Sequence, residues 1–300
     1  MNRHLTHILS VLALSLATVT AWADNNSGAD NNATTNNTNN TTTYYINAPR
    51  FVRPILSQWI TDYEQAHGGT RFAIAKRAET RQNSALDILT SESEPTTRSN
   101  KTFVARYAIL PAVAKGSEAE QIVRKHNLNS KRIKELFFLK DDVSENEAEQ
   151  EGADKADKQL TVYSATGKGS ITAAFARYYS EDASSYRGKK IAGDDAFLNQ
   201  ALAKDTKGIT VNAVSNLFDI NSRQPVNGIS IVAVGKDGQN AVSNLDTLLA
   251  ALQNGNANKD VDIEKIGFSY HDNKDVADFV KWVAENSSRY TSRIGVLPVK

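Results

Sequence analysis

The residues best placed for chemistry lie between Thr161 and Tyr179, in the stretch TVYSATGKGSITAAFARYY. Gly167 and Gly169 let a backbone come close to a ligand, Lys168 adds a cation, and Ser170 and Thr172 add hydroxyls. They stand between a β-prone run, Leu160–Tyr163, and apolar residues at 171, 174, 175, 178 and 179, the spacing of one helix face. A strand, a glycine-bearing turn and a helix start put unpartnered N–H groups and the positive end of the helix dipole at that turn. That is the chemistry of an oxyanion cradle. It is not a Walker A loop, which would need Gly at Val162 and Ser or Thr at Gly169. The same residues also suit an ordinary strand-to-helix turn with Ser170 as N-cap.

Two other places offer ligand chemistry. At Pro49-Arg50-Phe51 a second helix begins, with a proline suited to a first turn and Arg50 where an anion would meet it. After the short strand Leu86–Leu89 a polar loop carries Ser91 and Glu92, a hydroxyl and a carboxylate at a strand tip. Each also reads plainly as a surface charge or an exposed loop.

Little points to an enzyme. There is no Cys, and the five His residues are scattered. No GxSxG elbow, HExxH helix or periodic pair of carboxylates occurs. Asp194 and Asp195 are adjacent, so their side chains diverge, and a solvated helix start is expected for both. The acid-rich segment 141–158 lacks the regular spacing and glycine turn of a calcium loop and reads as an exposed insertion. No metal or cofactor is expected.

Composition sets the compartment. The first 23 residues look like a cleavable signal peptide: Arg3 and His4, an apolar run from Ile8 to Val19, and Ala21-Trp22-Ala23 as the cleavage site. Export to a bacterial periplasm, or to the surface, is expected. Removing Arg3 with that peptide leaves 34 Lys and Arg against 34 Asp and Glu. So no global field draws nucleic acid or membrane, and any anion site is local. Residues 24–43 are nearly all Asn, Thr, Asp, Ser, Gly and Ala and are expected to be a disordered leader.

From Tyr44 onward strands and helices alternate. A helix with Val52, Ile55, Leu56, Trp59, Ile60 and Tyr63 on its buried stripe ends at Gly68-Gly69. Strands follow at 70–75, 86–89, 103–113, 208–213, 229–234 and 266–270, with helices between them and a last helix carrying Val276, Phe279, Val280 and Val283. The alternation predicts an α/β fold with largely parallel sheets.

Taken in order, these stretches resemble the periplasmic phosphate-binding protein family, the solute-binding components of phosphate ABC transporters. Ile46 to Tyr63, with Trp59, is similar to the family's opening strand, turn and helix. Leu86-Asp-Ile-Leu-Thr-Ser91-Glu92 is similar to its strand ending in Ser and an acid. Lys168-Gly-Ser-Ile-Thr-Ala-Ala-Phe175 is similar to its Ser-Gly-Thr helix start, with Lys168 where the family has an Arg. Asp278 to Val283 and Gly295-Val-Leu-Pro298 resemble its closing helix and tail. The resemblance covers residues 44–300. It implies two Rossmann-like α/β domains joined by a hinge, the type II periplasmic binding protein fold, with 44–110 plus 265–300 as domain I and 111–264 as domain II. It implies a monomer that binds inorganic phosphate or a similar anion in the cleft and works with an ABC permease of the inner membrane. N–H groups of Arg50 and Phe51, the Ser91 hydroxyl, Glu92 as acceptor of the phosphate proton, and Gly167 to Thr172 with Lys168 as cation are the implied contacts. A surface protein reusing this fold, or a binder of another oxyanion or small organic anion, is the alternative.

Overall fold

The structure is a computed structural model that describes residues 33–36, 41–125, 128–138, 157–167, 169–234, 244–254, 261–290 and 295–299. The expected signal peptide, Lys168 and residues 141–156 lie outside the described residues. Strand β1 (Ala33–Asn36) and strand β2 (Thr41–Asn47) pair antiparallel, so extended backbone begins inside the stretch expected to be disordered. The β-branched threonines of that stretch favour pairing once a partner strand is present.

Residues Arg50–Val52 then form a single 3-10 turn, and α1 (Arg53–Ala66) follows with Pro54 in its first turn. Its expected stripe is buried, Trp59 completely. Strands β3 (Thr70–Ile74) and β4 (Leu86–Leu89) each pair parallel with β2, and the short α2 (Ala78–Gln82) lies between them in sequence. The 15-residue β5 (Asn100–Ala114) comes next, then α3 (Glu118–Lys125) and α4 (Ser130–Phe137).

Strand β6 (Thr161–Ala165) leads into α5 (Ile171–Tyr178). Strand β7 (Lys189–Ile191), α6 (Ala196–Leu202), β8 (Gly208–Ala213) and the one-turn α7 (Val214–Leu217) follow. Then come β9 (Ile229–Ile231), α8 (Leu245–Gln253), β10 (Asp262–Tyr270), α9 (Lys274–Asn286) and β11 (Leu297–Pro298).

All the strands join one mixed sheet in the order β1-β2-β4-β10-β5-β8-β6-β7, with β3 on β2 and with β9 and β11 on β5. The expected parallel pairing holds on either side, for β2 with β3 and β4 and for β6 with β7 and β8. It fails in the middle. Strand β5 runs antiparallel to β10, β8, β9 and β11, because it is not the product of a strand–helix–strand crossover. Strand β5 thus serves both sides of the sheet: Asn100–Ile109 lie along β10, and Ile109–Val113 lie along β8.

Strand β10 carries a bulge at Ile266/Gly267. A Cβ at Gly267 would stand 2.7 Å from the Phe103 ring and 2.9 Å from the Thr102 carbonyl, so only glycine lets the two strands stay this close. The core under α1 and α9 is aromatic. Phe72 stacks on Phe279 at 4.2 Å between centroids, and Tyr63 meets Phe279 edge-on at 5.1 Å. Two sequence expectations change in detail. Asp157, read as part of an exposed insertion, is buried and ion-paired to Arg132 at 2.7 Å. Tyr178, read as part of the apolar face of α5, is exposed, and its hydroxyl reaches the Val261 carbonyl at 3.4 Å.

Candidate functional site

The turn before α5 is built as expected, but its groups are used inside the chain. Ser170 caps the helix by accepting from Ala173 N at 3.1 Å. Thr172 is fully buried, and its hydroxyl donates to the Ala165 carbonyl at 3.1 Å. The first helical N–H, that of Ile171, points at a carboxylate of the same chain: both Asp195 oxygens lie 3.2 Å from it. Asp195 was expected in a solvated helix start, yet it is 6% exposed. Its backbone carbonyl accepts from the Asn212 amide at 3.0 Å, which fixes it from the β8 side. Burial pushes its carboxyl up to about 7. The Ile171 N–H opposes that rise and the neighbouring Asp194 charge adds to it.

Arg50 also has an internal partner. Its guanidinium meets the Asp194 carboxylate at 3.1 Å, with the Arg50 side chain 59% exposed. Phe51 is buried, with its ring 5.0 Å from that of Tyr107 and its carbonyl 3.5 Å from the Ser215 hydroxyl. These two residues therefore link the start of α1 to the start of α6 and to α7. The cavity lined by Phe51, Tyr107 and Ser215 holds about 10 Å³, room for one water at most. A much larger cavity, about 820 Å³, opens beside Lys115, Glu120, Arg124 and Ser230. None of the described sequence-named residues lines it, and Glu120 is already bonded to Arg124 at 2.5 Å and to the Ser230 hydroxyl at 2.6 Å.

The loop after β4 reaches the same region from the other side. Glu94 holds it, accepting from Thr90 N at 2.7 Å and from the Thr90 hydroxyl at 3.0 Å. The other Glu94 oxygen lies 3.7 Å from where a Cβ would stand on Gly169, so this loop and the α5 turn face each other. Ser91 is buried, 3.0 Å from the Ser93 hydroxyl, and also hydrogen-bonds Glu264. Glu92, the acid chosen from the sequence, instead points outward to Lys265 at 2.8 Å, with its side chain 64% exposed. Alternation along the loop sends Ser91 inward and Glu92 out. Gly167 is exposed, and its carbonyl accepts from Ser170 N at 3.1 Å.

Sequence reasoning missed a second set of groups. Asp262 and Glu264 stand on one face of β10, opposite Ile109 and Tyr107 of β5. They are 0% and 7% exposed. Neither Asp262 oxygen has a hydrogen-bond partner, and neither do the buried Nε and Nη2 of Arg177 on α5. Arg177 lowers the pKa of both acids by its charge, so the three sit within electrostatic reach. Burial wins nonetheless. It pushes the Asp262 carboxyl well above the usual carboxylate range, with the Glu264 charge adding to the rise. It also raises Glu264, against the Ser91 bond. Tyr107, buried between these strands, donates to the Thr90 carbonyl at 2.8 Å and ties the Ser91 loop to this floor.

No protein-family model matches the sequence, and no curated protein matches it. Solved structures do. An ABC-type phosphate transport receptor from Vibrio cholerae aligns with a TM-score of 0.56 at 10% identity, covering 86% of this chain and 100% of its own. A protein named as a phosphate ABC transporter substrate-binding protein, from Clostridium perfringens with bound phosphate, aligns with a TM-score of 0.57 at 12% identity, again over 86% and 100%. The chain has the type II periplasmic binding protein fold. At these identities the likeness is one of fold. Within it, β5 is the strand shared by both sides of the sheet, and Asp262 and Glu264 lie beside it on β10.

Proposed function

We infer that this chain is an exported solute-binding protein. It captures phosphate or a similar small oxyacid between the two sides of its sheet and delivers it to an ABC-type permease. The observation that carries this reading is the buried guanidinium edge of Arg177 and the buried carboxyl of Asp262, both without a hydrogen-bond partner, on a floor that Ser91 reaches through Glu264. The phosphate-binding resemblance implies one arginine and one acid around the anion. Arg177 supplies the fork that a lysine at 168 lacks, and Asp262 or Glu264 supplies the acid in place of Glu92. Ionised in the bound state, with the Arg177 charge beside it, such an acid accepts a proton that phosphate carries near neutrality and sulfate does not, which gives selectivity. Ser91 donates its hydroxyl. Arg50, Phe51, Gly167, Lys168, Gly169, Ser170 and Thr172 remain proposed as the rim. Strands β5 and β10 are the proposed hinge between domain I (44–110 plus 265–300) and domain II (111–264).

One observation favours the second reading, the same fold put to a surface role or to another anion. The Ile171 N–H that would receive phosphate already holds Asp195. Isothermal titration of phosphate into the purified protein, unfolded and refolded to strip carried-over solute, separates the two. Micromolar binding that sulfate does not compete supports phosphate capture. No heat with phosphate, sulfate, molybdate or phosphate esters removes anion capture and leaves the surface role.

A further inference from the structure

The cavity of about 820 Å³ is lined by none of the described residues assigned to the solute. One of its walls is strand β9, and the register of β9 leaves an edge open. Lys115 N donates to the Gly228 carbonyl and Val232 N to the Pro111 carbonyl, both at 2.9 Å. Residues 228, 230 and 232 therefore turn their backbone groups to β5, and 229 and 231 turn theirs away. Among the described residues β9 pairs with no strand but β5, and the edge ends where Val234 bridges to Leu128. The Ile229 N–H goes to the Val226 carbonyl at 3.0 Å. No described residue holds the Ile229 carbonyl or either backbone group of Ile231. Residues 228–233 line the cavity without a break. An open strand edge beside a space of this size suits an added strand, whose main chain supplies the missing bonds.

The charge left free in this cavity is positive. Glu120 accepts from Gly116 N at 2.5 Å, from Nε and Nη2 of Arg124 and from the Ser230 hydroxyl, so its charge is met within the chain. Asp219 accepts from the N–H groups of Asn221 and Ser222. Arg124, its side chain 72% exposed, keeps Nη1 after these bonds. Lys115 is exposed, and no described residue holds its ammonium. Side chains alternate in face along a strand. The Ser230 bond to Glu120 marks the face toward α3 as polar, and Ile229 and Ile231 point to the other face.

We propose that this cavity is a second binding site, for an extended peptide that pairs with the open edge of β9. Its carboxylate side chains lie toward Lys115 and Arg124, and they alternate with apolar side chains on the isoleucine face. The site does not depend on the solute-binding reading above.

The test is fluorescence anisotropy of the full chain with a labelled hexapeptide that alternates valine and glutamate. One control replaces glutamate by lysine. Two others are N-methylated, one at every valine and one at every glutamate, so that each lacks the N–H groups of one edge. The acidic peptide is expected to bind about tenfold or more tighter than the lysine peptide and than at least one N-methylated form. Lys115→Ala weakens it about threefold or more. Ile231→Pro removes an outward N–H and no bond to β5, and weakens it about tenfold. Circular dichroism shows whether that variant folds, and if it does not, the N-methylated peptides test the backbone pairing alone. No binding of the acidic peptide overturns the proposal, as does equal binding of the lysine peptide or of both N-methylated forms. Competition by inorganic phosphate also overturns it and makes this an anion cavity. None of these failures touches the solute-binding reading, which titration of phosphate alone decides.

Discussion

The Asp195 carboxylate sits on the N-terminus of α5, with both oxygens 3.2 Å from Ile171 N. A helix start that the sequence offers to an external anion thus holds an anion of the chain's own. Burial outweighs this hydrogen bond, so the carboxyl is pushed up to about 7 in the folded chain from its ordinary 3.8. The folded state therefore binds more protons than the unfolded state between those values, and stability falls as pH rises through that window. The groups facing Asp195 are the N–H donors of Ile171 and Thr172 and the charge of Asp194. Asp195→Asn keeps an acceptor for Ile171 N and removes the charge. It is expected to stabilise the protein above pH 7 by up to about 4 kcal/mol and to make no gain below pH 4. Thermal unfolding of both proteins from pH 4 to 8 checks this, and a variant less stable than the parent at pH 8 would falsify it.

Arg132 and Asp157 form a two-pronged pair, Nε and Nη2 each 2.7 Å from a carboxylate oxygen, with both side chains 9% exposed. Removing one partner strands a buried charge. Arg132→Ala or Asp157→Ala is expected to cost about 3–5 kcal/mol in denaturant unfolding. The double variant should cost clearly less than the sum of the two. Additive losses would mean that the pair is not coupled.

The elements were legible where apolar spacing decides them. The stripe of α1, the four residues of β4 and the six of β8 fall where periodicity puts them, because each buries a face or a whole strand. The floor of the site was hidden for the opposite reason. In Asp262-Ile-Glu264-Lys265 the acids turn inward while Ile263 and Lys265 face out in part, so hydropathy assigns the faces backwards and starts β10 at Ile266. Arg177 follows the same logic: it sits in a helix whose apolar face predicts Tyr178 inside, but Tyr178 is exposed and the Arg177 donors are buried. The short β7 has no burial pattern of its own and exists through its pairing with β6. Asp195 is buried by Asn212 and the α5 turn, which are far from it in sequence and carry no local signal.

Glu92 and Glu94 should separate by mutation, although a motif would rank Glu92 first. Glu92 is mostly exposed and paired with Lys265, and such pairs contribute under about 1 kcal/mol. Glu92→Gln should leave phosphate affinity within about twofold. Glu94→Gln loses the charge that both the amide and the hydroxyl of Thr90 bind, and should loosen the loop that carries Ser91. Hydrogen exchange at Thr90 to Ser93 reads this directly. Faster exchange is expected in Glu94→Gln and parent-like exchange in Glu92→Gln, and the reverse order would restore Glu92 to the site.

Arg177 carries the binding reading, and its replacement by lysine is the sharpest test of it. If the Nε and Nη2 edge receives an acid group, Arg177→Ala leaves that group and the two acids without a cation, and affinity for a bound solute should fall by at least about a hundredfold. Lysine restores a charge but only as a point, on a shorter reach and without the paired donors. Arg177→Lys should therefore recover little of the loss at any pH at which the protein folds. Full recovery by lysine would mean that charge alone matters and that the fork is idle. Unchanged affinity in Arg177→Ala would place the solute elsewhere, with the 820 Å³ cavity beside Glu120 and Ser230 as the next place to titrate.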